Sequence, residues 1–88
     1  MKIKSGFILR KVADSYVVVA VGNRVKDFNG VINLNATGAF LWQLLEKGIS
    51  EEDLTKKFLK EYDVDKEILE QDLKVFLKKI REAGLTEE

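Results

Sequence analysis

The hydrophobic period of this chain changes once, near residue 34, and that change restricts the possible folds more than any other feature. Before it, apolar residues come in short strand-forming runs. Phe7-Ile8-Leu9 and Tyr16-Val17-Val18-Val19-Ala20-Val21 are separated by the turn-prone Ala13-Asp14-Ser15. These predict strands over about 7–12 and 16–21. The second run is too uniformly apolar for a strand with one wet face, so it should be central and covered on both sides at least in part. The segment from Gly22 to Gly30 then punctuates the chain, because Asn29-Gly30 supplies the positive φ that tight turns demand. A short third strand, Val31-Ile32-Asn33-Leu34, follows. Short connections favour an antiparallel meander in the order one, two, three, which leaves the third strand at an edge.

From Asn35 onward the period is helical. Asn35 is a good N-cap for a helix over about 36–47, where Phe40, Leu41, Leu44 and Leu45 form a broad face and Gly48 ends the helix. Trp42 lies off the centre of that face, so this helix is apolar most of the way round and should be central. Ser50 with Asp53 resembles a capping box, and Ile49 can staple onto Leu54, which starts a second helix over about 51–62. Its core side is Leu54, Phe58, Leu59 and Tyr62. Asp65 caps a third helix over about 66–83, with Val64 stapling onto Leu69 and Gly84 as the stop. Leu69, Leu73, Phe76, Ile80 and Ala83 form its main stripe. Three strands, expected as a three-stranded antiparallel sheet, followed by three helices belong to the α+β class and span residues 1–88 as one domain.

Composition removes whole classes of function. The 88 residues include no Cys and no His, so there is no disulfide framework, no thiolate chemistry and no ordinary zinc or haem site. The six glycines form neither a Walker loop nor a GxGxxG turn, and no cofactor is expected. Without His, a nucleophilic Ser or Thr would need a carboxylate or lysine as its base. The serines and threonines instead suit turns, caps and helix surfaces. Glu51-Glu52-Asp53 lies in a first helical turn, where anions complement the helix dipole. A catalytic reading therefore finds no constellation to rest on. The longest apolar run, Tyr16 to Val21, is too short for a signal peptide or membrane span, and a cytoplasmic setting fits best.

Fifteen basic and fifteen acidic residues cancel overall, but unevenly along the chain. Residues 1–30 carry six Lys/Arg against Asp14 and Asp27, while residues 31–88 are acidic on balance. A winged helix would use its third helix to enter a DNA groove. Here Lys66, Lys74, Lys78, Lys79 and Arg81 are balanced by Glu67, Glu70, Asp72, Glu82 and the cap Asp65. A helix that neutralises phosphates should be clearly basic, so DNA binding stands only as the alternative. The same helix carries a second, weaker apolar line. Ile68 and Val75 fall to one side of the main stripe, with Asp72 and Lys79 between them and the core. Either they edge the core or they form a groove wall that receives an extended peptide beside an open strand edge.

The order of elements and the segment LNATGAFLWQLLEKGISEEDLTKKFLKEY resemble the PqqD-like family, the peptide-recognition elements of ribosomal natural-product pathways. The resemblance spans residues 7–85 and rests on Leu34-Asn35, Ala36-Thr37-Gly38-Ala39, Trp42, Leu44-Leu45, Gly48, Ser50, Leu54, Tyr62, Leu73, Phe76 and Gly84-Leu85. Glu46-Lys47 departs from the family pattern, in which an acidic residue directly precedes the glycine. The resemblance implies a winged-helix-like, non-catalytic scaffold that captures the leader segment of a precursor peptide as a strand added against strand three. It then presents the peptide to a maturation enzyme, often of the radical SAM class, in pyrroloquinoline quinone (PQQ) or related biosynthesis. Carried onto this chain, the contacts are Gly30, Val31, Ile32 and Asn33 on the strand, with Ile68, Asp72, Val75, Phe76 and Lys79 on the helix. No nucleic acid or membrane partner is expected, and the protein should be a monomer or weak dimer.

Overall fold

The computed structural model describes every residue except 28, 29, 64 and 88. The Asn29 half of the expected turn and the staple from Val64 lie outside the described residues. Along the chain the elements are β1 (Lys2–Ile3), β2 (Phe7–Val12), β3 (Ser15–Ala20), α1 (Arg24–Asp27), β4 (Val31–Leu34), α2 (Ala36–Glu46), α3 (Glu51–Glu61), α4 (Lys66–Glu82) and β5 (Thr86–Glu87). The α+β expectation holds, with an antiparallel sheet in the order β2-β3-β4. Two features go beyond it. β1 and β5 pair into a separate ribbon that joins the two ends, and a single helical turn, α1, sits within the segment read as a plain turn.

The β2–β3 connection is a two-residue turn, Ala13-Asp14, with Ala13 at φ 56°. Ser15 therefore belongs to the strand, and Val21 has left it, donating its N–H to the Gly6 carbonyl at 2.8 Å. A two-residue turn closes on a hydrogen-bonded pair, here Val12 and Ser15. Antiparallel pairs then alternate, so the peptide groups of Tyr16 and Val18 face Leu34 and Ile32. Those of Val31 and Asn33 are turned to the far edge of β4. Side chains alternate independently of this. Leu9, Val18 and Ile32 lie side by side on the core face, and Ile8, Val19 and Val31 form a row on the outer one.

The core face is covered by helices whose ends are set by local hydrogen bonds. Asn35 accepts from the Gly38 N–H at 2.8 Å, Ser50 from Asp53 at 3.1 Å and Asp65 from Glu67 at 2.8 Å. At the end of α4 the N–H groups of Leu85 and Gly84 bond the Ile80 and Arg81 carbonyls at 3.0 Å, a Schellman closure that needs the +75° φ of Gly84. α2 closes only half of the same motif, because Ile49 donates to the Met1 carbonyl at 3.0 Å instead.

α2 is central, as its all-round apolarity predicts: Leu41, Trp42 and Leu45 are buried. Among the described residues the Trp42 Nε1 meets no hydrogen-bond acceptor, a cost of roughly 1–3 kcal/mol that burial of the large ring outweighs. Around it pack Leu54 and Phe58 of α3 and Leu69, Leu73, Phe76, Leu77 and Ile80 of α4. Tyr62 is half-buried and makes edge contacts with Phe40 and Phe58 at 5.6 and 5.3 Å. Ala83, expected in the α4 stripe, is exposed because it is already the C-cap residue, and the buried Leu77 widens the stripe instead.

Candidate functional site

An edge strand normally carries charge or proline to discourage further pairing. β2 follows that rule with Arg10 and Lys11, the latter over the Tyr16 ring at 5.9 Å. β4 does not: Val31-Ile32-Asn33-Leu34 has no charged residue, and among the described residues no strand pairs with its far edge. The peptide groups of Val31 and Asn33 are therefore available on an unprotected edge.

Beside that edge lies an open cleft of about 330 Å³. Its floor is apolar and comes from separate elements: Leu34 of β4, Leu41 of α2, Phe58 of α3 and Phe76 of α4. One rim is the turn from sheet to helix, Asn33, Asn35, Thr37 and Gly38. The small residues there keep the start of α2 from filling the space. The other rim is α4, which contributes Asp72, Val75 and Lys79. With Phe76 these occupy positions i, i+3, i+4 and i+7, one face over about 10 Å of helix.

Val75 is 65% exposed, so it is a wall of the cleft rather than the edge of the core. Phe76, at 9%, serves both core and cleft floor. Among the described residues neither Asp72 nor Lys79 has an ion-pair partner, so a negative and a positive charge flank the apolar floor. Other α4 charges are paired with one another or with α3: Lys66 with Glu70 at 3.8 Å, Lys78 with Glu82 at 3.9 Å, and Arg81 with Glu51 of α3 at 3.5 Å. Such pairs leave α4 poorly suited to neutralising phosphates.

Of the residues expected at the site, Asn33, Asp72, Val75, Phe76 and Lys79 come together in the cleft. Gly30 and Val31 lie along the same strand edge but outside the cleft, and the Ile32 side chain is turned into the core. Ile68 is exposed on α4 beyond the end of the cleft. Leu34, Asn35, Thr37, Gly38, Leu41 and Phe58 were expected only as core or capping residues. The one sequence signal for them was the run of small residues after Leu34-Asn35, which reads equally well as a helix start.

Residues 15–85 match the model of the family described as coenzyme PQQ synthesis protein D (PqqD). Comparison with the curated proteins gives no match. Among solved structures, TbiB1 in complex with the TbiA(beta) leader peptide superposes with a TM-score of 0.73 at 28% identity, covering 97% of this chain and 93% of that one. A lasso peptide synthetase B1 complexed with the leader peptide gives 0.72 at 21% identity, over 99% and 96% of the two chains, a likeness of fold.

Proposed function

The chain belongs to the PqqD family, and from that premise we propose that it is a non-catalytic accessory protein that captures the leader segment of a ribosomally made precursor peptide. The leader adds as a strand to the far edge of β4, and its inward side chains enter the cleft against α4. The observation that carries this reading is the uncharged edge of β4 lying directly beside a cleft with an apolar floor. Main-chain bonds to Val31 and Asn33 supply affinity, and the cleft supplies selectivity. Two solved structures that this chain resembles are leader-peptide complexes, which supports the reading.

The whole chain works as one recognition domain and passes the leader to a maturation enzyme, of the radical SAM class or another. Ribosomal precursors are made in the cytoplasm, and this protein acts there. No helix among the described residues is long and apolar enough to cross a membrane. The test pairs the purified protein with the leader of a precursor encoded beside it and, separately, with duplex DNA. Saturable leader binding with no DNA shift is expected. A DNA shift with steep salt dependence and no response to the leader would overturn the proposal.

A further inference from the structure

We infer that the site selects its peptide by a pattern matching the four residues of β4, read on both faces of the added strand. From N to C terminus the pattern is a bulky apolar anchor, a polar residue, an unspecified residue and a β-branched residue. The inference rests on the proposed strand addition and specifies which strand is taken.

Antiparallel pairing is slightly stronger per residue than parallel, and both existing pairings of the β2-β3-β4 sheet are antiparallel. An antiparallel guest meets Leu34, Asn33, Ile32 and Val31 in that order. Its side chains alternate faces in step with theirs. The guest residue opposite Leu34 points inward where Leu34 lines the cleft, so it is the one that reaches Leu41, Phe58 and Phe76. The next lies on the outer face, extending the row Arg10, Val17, Asn33, and a polar side chain suits Asn33. The residue opposite Ile32 points inward outside the cleft, and nothing there specifies it. The last extends the outer row Ile8, Val19, Val31, three apolar side chains directly opposite one another. Val31 is 58% exposed at the open end of that row, so a β-branched neighbour covers it.

The test is selection of short random peptides displayed against the full chain and against Val31→Lys, an exposed position where the change leaves the fold intact. Peptides enriched on the wild type should share a bulky apolar residue with Val, Ile or Thr three positions later. On Val31→Lys the anchor should persist while the later position turns to Asp or Glu. For matched synthetic peptides, exchanging Val for Asp there should weaken binding to the wild type roughly two- to fivefold and strengthen binding to the variant as much. Enriched peptides that perturb the Val31 and Asn33 amides yet lack the spacing, show it reversed, or ignore Val31→Lys would overturn the pattern and leave strand addition standing. Enriched peptides that leave those amides unperturbed would overturn both.

Discussion

Val75 separates a wall from a core at the level of one side chain. Because it is largely exposed and lines the cleft, Val75→Lys should change stability by no more than about 0.5 kcal/mol while weakening leader binding by roughly 1–2 kcal/mol. Thermal melts beside leader titrations check both. Phe76→Ala is the contrasting case: it should cost about 3–5 kcal/mol of stability, because that ring is also core. Lys79→Glu should slow association with an acidic leader, with the loss shrinking as salt rises, as stopped-flow mixing would reveal. The angular position of Val75, Asp72 and Lys79 was legible from the helical period. Ile68 shares that azimuth and is 56% exposed, yet it lies beyond the cleft. A helical wheel gives direction around the axis, whereas the extent of a cleft along the axis depends on where β4 and α2 meet the helix.

For the strand as an element, proline scanning should distinguish its two edges. Asn33→Pro removes an N–H turned to the open edge, so the fold should persist while leader binding falls. Ile32→Pro removes an N–H facing β3 and should unfold the sheet, detectable by circular dichroism. The meander and all three long helices were legible because each carries either a β-branched run or a helical stripe with its cap. The outward direction of the Val31 and Asn33 peptide groups was not, since it depends on the turn at Ala13-Asp14 containing two residues rather than three. β1 and β5 were missed for a different reason: two-residue strands have no period to read.

Over the whole molecule, those short strands matter because they bring Ile3 and Leu85 into the core beside α2 and α4. Net stability for a chain of this length is expected at about 4–13 kcal/mol. Ile3→Ala, costing about 2–4 kcal/mol, should therefore lower the denaturation midpoint strongly while leaving the cleft residues in place. The β2-β3-β4 sheet and helices thus form a fixed frame in which an uncharged strand edge and an apolar cleft lie side by side. Hydrogen exchange of the backbone amides, with and without saturating leader peptide, tests that arrangement most directly. Protection should rise at Val31 and Asn33, with little change along the exposed face of α3. Unchanged exchange at those two amides, with protection gained on α3 instead, would contradict capture by strand addition.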